Sequence, residues 1–579
     1  MKKWFWGLIT GVLLMLVLLV AGGVIAWRIG QSPPEVLENT TLILELHGDI
    51  PEQVQPAFPE EIFGEGRGFN FLSLIQNIQK AGADSRITGI VVKPSNLRMG
   101  WGKLQQLRRA LGEFQRQGKT VAALLQVAGS KEYFLASVAD RIFLSPAGFL
   151  NLKGMRAEVM FFKDTLEKLG VQADLEHIGD YKNFSDQFTD NRMSRAFREA
   201  TTSLLDSIYG NFVATVAAAR HRSVEEVRSL MEQSGPFESD RALLLGLVDQ
   251  LLYEDQVFDQ LKNENQNKEF HKMAMREYHR VPASQAGLGG GERIAVVYAV
   301  GNITAGEGNY EPLSSGKTLG ARTMADVLET VRDDDSIKGV IVRIDSPGGD
   351  ALASDEILRY MVLLREKKPV VISMSDTAAS GGYYIAMTGD PIVAEPGTIT
   401  GSIGIVYGKM NLKGFYDKVG IHKEIISRGD FARMDSDYAS YTPQERERVR
   451  ALMKDFYDKF LARVGAARNM TPEAVDQLAQ GRVWTGEQAQ QNGLIDELGG
   501  FVRAMELLKE KAGIRPGAPV ELIEYPKRKS LFQLVLSRFR GQALGLPAGL
   551  SDLFSRWRRL ESMAATPLWA WMPYAYEFR

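Results

Sequence analysis

The chain has 579 residues, 45% of them hydrophobic and 24% charged, and a formal net charge of −2. This composition fits a large globular protein of two or more domains, and the near-neutral charge argues against a general nucleic-acid binder. Cysteine is absent, so disulfides, thiolate metal sites and cysteine nucleophiles are excluded.

Lys2 and Lys3 precede Trp4–Trp27, a stretch without charge and rich in Leu, Val and Ile. At about 1.5 Å per residue it can cross a hydrocarbon core of about 30 Å, and Trp4, Trp6 and Trp27 stand at its ends as an aromatic belt would. The rival is a cleaved signal peptide, but the apolar region is too long for an h-region and no clear Ala-x-Ala site follows. One uncleaved transmembrane helix within residues 1–30 is therefore expected. Lys2 and Lys3 would hold its start in the cytosol and place the body on the other side, although Arg28 weakens the contrast.

Gln31–Thr40 is a polar, proline-containing linker, and a globular region opens with the strand-like Leu42–Leu46. A second linker near Val281–Gly291 ends Gly-Leu-Gly-Gly-Gly before the strand-like Ile294–Tyr298. It precedes a strand rather than following one, so it is not a dinucleotide fingerprint. The two regions repeat one another. Asp84–Val92 echoes Asp335–Val342, with Gly89 and Gly339 250 positions apart, and the same offset pairs Tyr133 with Tyr383, Asp140 with Asp390, Gly154 with Gly404 and Gly179 with Gly429. Short apolar runs alternate with amphipathic segments, and Ser223–Glu226 and Thr442–Glu445 read as helix-capping boxes. The expectation is an α/β fold with largely parallel sheets, twice over: an anchor at 1–30, a first repeat at 41–275, a second at 292–525, and a tail at 526–579. The tail sets Lys527, Arg528, Lys529, Arg538 and Arg540 among apolar residues, with Trp569, Trp571, Tyr574 and Tyr576 near its end. It suits basic amphipathic helices on a membrane surface; a helix packed on a partner subunit is equally consistent.

Three glycine-rich elements of the second half converge if its sheet is parallel, because functional loops leave the C-terminal ends of such strands. They are Asp345-Ser346-Pro347-Gly348-Gly349-Asp350, Ser380-Gly381-Gly382 and Thr400-Gly401-Ser402-Ile403-Gly404. Ser380 follows the apolar Val370–Met374 at a strand-to-helix turn. Gly348 and Gly349 can offer free backbone N–H groups, and with the Ser380 N–H they would form an oxyanion hole. None of the six histidines lies in these loops and no metal-binding signature appears, so no metal or cofactor is expected. A buried lysine is the alternative base.

Asp345–Gly349, Ala378–Tyr383 and Thr400–Gly404 resemble the motifs of the signal peptide peptidase A (protease IV) family, in the Clp protease/crotonase superfamily. With the anchor and the duplication, the likeness is to the long form and covers roughly Met1 to Tyr525. The resemblance implies two tandem Clp protease/crotonase-like repeats, Ser380 as nucleophile, Gly349, with Gly348 and Gly381 in support, at the oxyanion hole, Lys182 of Gly179-Asp180-Tyr181-Lys182 as general base, and Ser402 orienting it. It also implies a tetrameric, bowl-shaped homo-oligomer in the bacterial inner membrane, with its body on the periplasmic side, that degrades remnant signal peptides.

The repeat supports this independently. Lys182 answers Ala432, so the second half lacks a base. The first half keeps Ser130 opposite Ser380, but Lys131-Glu132 replaces Gly381-Gly382, Arg98-Met99 replaces Gly348-Gly349, and Leu152 replaces Ser402. Together the halves supply one complete Ser–Lys dyad. The alternatives are a crotonase-type acyl-CoA enzyme, which would share the glycine hole but not need Ser380 with Lys182, and a non-catalytic membrane scaffold of the same fold.

Overall fold

A computed structural model describes residues 15, 33–53, 70–264, 269–308, 318–527 and 568–572. Apart from residue 15, the transmembrane helix expected at 1–30 lies outside the described residues, as does most of the tail expected at 526–579. Among the described residues no helix is long and apolar enough to cross a membrane.

The first half builds a sheet on four parallel strands, β1 (Thr40–Gly48), β2 (Ile87–Leu97), β3 (Thr120–Ala128) and β4 (Arg141–Leu150), flanked by Phe237–Glu238 at one edge and His271–Ala274 at the other. Its next strand, β5 (Gln172–Ile178), leaves this sheet. The second half contributes β6 (Glu292–Val300), β7 (Asn302–Thr304), β8 (Ile337–Ser346), β9 (Gly348–Asp350), β10 (Val370–Ala379), β11 (Ile399–Gly401) and β12 (Ile405–Asn411), and the C-terminal segment adds β13 (Leu568–Trp571). In its main sheet β11, β10, β8, β6 and Val520–Tyr525 run side by side and parallel, with Val483–Thr485 antiparallel at the edge. Val340, Ile341, Val342 and Ile344 of β8 are all buried, the continuous apolar run of a strand covered on both faces. The fold is α/β with mostly parallel sheets, duplicated.

Equivalent bonds recur in the two halves. The Tyr133 hydroxyl donates to Leu247 O at 2.7 Å and the Tyr383 hydroxyl to Leu494 O at 2.8 Å. Asp249 accepts from Ile142 N at 2.7 Å, as Asp496 does from Ile392 N at 2.8 Å. Both expected capping boxes form, at Ser223 and at Thr442.

A third sheet joins the halves. Its order is Thr318–Gly320, β7, β9, β13, β12, β5. β5 of the first half pairs antiparallel along β12 of the second, from Ile178↔Ile405 to Gln172↔Asn411. The junction is also ionic. Asp376 caps helix α1 (Trp101–Arg116) of the first half, accepting from Gly100 N and Lys103 N at 2.8 Å each. Arg343 and Glu52, both buried, pair at 2.8 Å across the halves. Burial opposes ionisation of Glu52, but Arg343 and Lys103 prevail and hold it at about 2. The Lys103 ammonium lies 3.5 Å from Asp345 and 3.6 Å from Asp376; burial pushes Asp345 up to about 6 against the pull of Lys103.

Candidate active site

β10 delivers Ser380 to the turn before helix α2 (Gly381–Tyr384), at the C-terminal end of the parallel sheet. Ser380 sits at φ +55°, ψ −115°, a conformation costly for a residue with a Cβ and held by its surroundings. Its N–H donates to Gly401 O at 2.8 Å. That corrects the expectation that this amide serves an oxyanion: the bond ties the serine turn to β11. The amide of Gly381 is the neighbouring candidate. As the first residue of a helix it has no intrahelical partner.

Lys182 arrives from the first half on the turn that follows β5. Gly179, at φ +106°, opens the turn, and Tyr181 N donates to Gln480 O at 2.8 Å. The Lys182 side chain is fully buried. Its Nζ lies 2.7 Å from Ser380 Oγ, 2.8 Å from Ser402 O and 2.9 Å from Ser402 Oγ. These partners include no carboxylate, and burial drives the ammonium well below the ordinary lysine value. A neutral amine has two N–H donors and one lone pair. The three contacts match that inventory if Ser402 takes both N–H groups and Ser380 O–H donates to the lone pair. Ser402 is itself held at φ +54°, with its N–H on Arg482 O at 2.7 Å.

Gly348 and Gly349 lie against α2 and β7. Gly348 N donates to Ser346 Oγ at 3.2 Å. A β-carbon on Gly348 would stand 2.6 Å from Gly381 N, and one on Gly349 would stand 2.1 Å from Ile303 O. Gly348, Gly349, Gly381, Ser380, Ser402 and Lys182 therefore meet in one place. The first half's counterpart does not form such a site. Glu132 stands there instead, accepting from Leu97 N at 2.6 Å and Gly129 N at 3.0 Å, and Lys131 reaches Met99 O at 2.9 Å.

One residue at the centre had no signal in the sequence reading. Gly481, at φ +76°, packs so closely on the lysine turn that a β-carbon there would lie 2.4 Å from Lys182 Cβ. It is the glycine of a Gln480-Gly481 turn that carries no chemistry of its own, so only the fold reveals it. Gly481→Ala should lower turnover by about a hundredfold, because a displacement of the base by about 1 Å costs that much, and should destabilise the protein by about 1–3 kcal/mol. Steady-state kinetics beside a denaturant titration check both.

Residues 113–268 and 363–515 match peptidase family S49, one segment in each half. The chain is 34% identical to the chloroplastic serine protease SPPA of Arabidopsis thaliana, over 92% of this chain and 78% of that one. It is 30% identical to Protease 4 of Salmonella typhi, over 88% of this chain and 86% of that one, and 29% identical to Protease 4 of Haemophilus influenzae, over 90% and 89%.

Proposed function

Because the chain belongs to peptidase family S49 and is a serine peptidase, we propose that it is a membrane-anchored endopeptidase with a Ser380–Lys182 dyad that degrades cleaved signal peptides. The observation that carries the reading is the approach of a fully buried Lys182 Nζ to within 2.7 Å of Ser380 Oγ. Burial favours the free amine, whose lone pair takes the Oγ proton as Ser380 attacks a peptide carbonyl. The amides of Gly349 and Gly381 receive the oxyanion, with Gly348 leaving room for it. Lys182 then gives its proton to the departing amine. It next deprotonates the water that splits the acyl-enzyme, and Ser402 keeps the amine aimed throughout.

In this reading the repeat at 41–275 supplies the base and the repeat at 292–525 the nucleophile, each Clp protease/crotonase-like. Residues 1–30 anchor the chain in the bacterial inner membrane, with its body on the periplasmic side and several copies assembling. A fluorophosphonate probe, which phosphonylates activated serines with loss of fluoride, should label the wild-type protein and not Ser380→Ala. An unlabelled wild type would count against Ser380 as the activated nucleophile.

A further inference from the structure

The first half keeps the place of the second half's site but not its residues. At the 250-residue offset Arg98 stands for Gly348, Lys131 for Gly381 and Lys153 for Ile403. All three line one open cavity of about 1020 Å³ at the C-terminal ends of β1, β2 and β3, at the large end of the range for ligand pockets. The buried Leu46, Leu97 and Leu124 and the exposed Val127 give it an apolar lining.

The charge of this lining is uneven. It holds five lysines and arginines against three glutamates, and the glutamates are engaged. Glu45 and Glu254 each accept from Lys93 Nζ at 2.9 Å, and Glu132 accepts from the amides of Leu97 and Gly129. Arg156 pairs with Glu158 at 3.0 Å. The excess is therefore positive and centres on Arg98 and Lys153, both exposed. Arg98 is set by its backbone, whose N–H donates to Gly48 O at 2.8 Å. Its guanidinium lies over the end of β1, where a β-carbon on Gly48 would stand 3.8 Å from Nη2. In the second half the equivalent space is taken by an extended strand: β13 runs between β9 and β12, antiparallel to both. In the first half residues 155–161, the counterparts of β12, belong to no strand, and the space is open.

We propose that this cavity is a non-catalytic binding site for the free C-terminal end of an extended peptide, with the terminal carboxylate held by Arg98. A guanidinium presents paired N–H donors that match a carboxylate, and the pairing is charge-assisted. Lys153 adds positive charge, and the apolar lining takes the side chains that precede the terminus. The second half has a glycine where charge would develop only during reaction. The first half has an arginine in that place, which suits a charge that is permanent. The inference rests on the peptidase reading, in which the substrates are cleaved signal peptides. Cleavage from a precursor creates a C-terminal carboxylate, and an internal loop of an intact protein has none. The first half thus tells a liberated peptide from a loop, while Ser380 cuts elsewhere along the same peptide.

The test uses two fluorescein-labelled peptides of one apolar sequence, one ending in a carboxylate and the other in a carboxamide. Fluorescence anisotropy measures their binding to the full-length Ser380→Ala protein in detergent. The expected result is at least about tenfold tighter binding of the acid. Arg98→Ala added to Ser380→Ala should bind both peptides alike, and Arg98→Lys should keep part of the preference. Arg98 is exposed and its fixed bond belongs to the backbone, so an unchanged unfolding temperature is expected of both variants. Equal binding of the two peptides to Ser380→Ala, or a preference that survives Arg98→Ala, would overturn the inference. Arg98-dependent binding of phosphatidylglycerol without any preference for the acid peptide would give the site to a lipid and overturn it too. Hydrolysis of the same pair by the wild type should show the ratio in KM with kcat unchanged, and equal KM values would overturn the role in substrate choice. A wild type that cuts neither peptide, beside an Arg98-dependent preference in binding, would remove the Ser–Lys reading and leave the site standing.

Discussion

Ser380→Ala should lower casein hydrolysis by at least about ten-thousand-fold, the scale expected when a catalytic nucleophile is removed, while the protein stays folded. The hydroxyl makes little packing contribution, and the bonds that hold the turn, Ser380 N to Gly401 O and Tyr384 N to Ser380 O, both at 2.8 Å, belong to the backbone. An unchanged thermal unfolding profile would separate loss of chemistry from loss of structure. Ser130→Ala is the matched control. Ser130 begins a helix in the first half, beside Glu132, whose carboxylate is already engaged by Leu97 N and Gly129 N. An oxyanion could not settle against a fixed negative charge, so this variant should remain within about twofold of wild type. An inactive Ser130→Ala beside an active Ser380→Ala would reverse the roles of the two halves.

Activity should rise with pH along a limb set by Lys182, at a midpoint well below the ordinary lysine value of 10.5. The base works as the free amine, so raising the pH through its pKa populates the active form. The same shift has a stability consequence. The unfolded chain holds this proton up to the ordinary lysine range and the folded chain releases it earlier, so Lys182 makes stability increase with pH between those two values. Lys182→Ala should remove nearly all activity, about ten-thousand-fold, and abolish the limb. Residual hydrolysis that kept the wild-type pH profile would show that another group takes the proton. Fluorogenic peptide assays across pH, beside denaturant titrations at two pH values, measure both effects.

The residues that meet at the candidate site were legible where their signals are contiguous. Asp345–Gly349, Ser380–Gly382 and Thr400–Gly404 each announce a turn with glycines where a side chain would intrude, and the internal repeat marked Lys182 as a lysine present in one half only. The partners that settle geometry were not legible, because they come from distant chain. Nothing local tells that Gly481 must lie under Lys182, that Asp376 caps a helix of the other half, or that Gly401 takes the Ser380 amide. Leu568–Trp571 falls in the tail read as amphipathic helices on a membrane surface or on a partner subunit, yet it forms a strand. Strand formation depends on two edges hundreds of residues away, and local composition carries no trace of them. The rest of that basic segment lies outside the described residues.

The antiparallel pairing of β5 with β12 makes the two halves share a single piece of hydrogen-bonded backbone, and the lysine turn is the end of that piece. Synthesis places the proposed base first and the proposed nucleophile 198 residues later, so in that reading a chain interrupted between them has no dyad however well its first half folds. Docking of the halves is the step that strips water from Lys182 and lowers its proton affinity. A protease that must be complete before it can cut has a built-in checkpoint: partly made or partly unfolded copies are harmless to their neighbours, and activity itself reports that both halves have been delivered and joined.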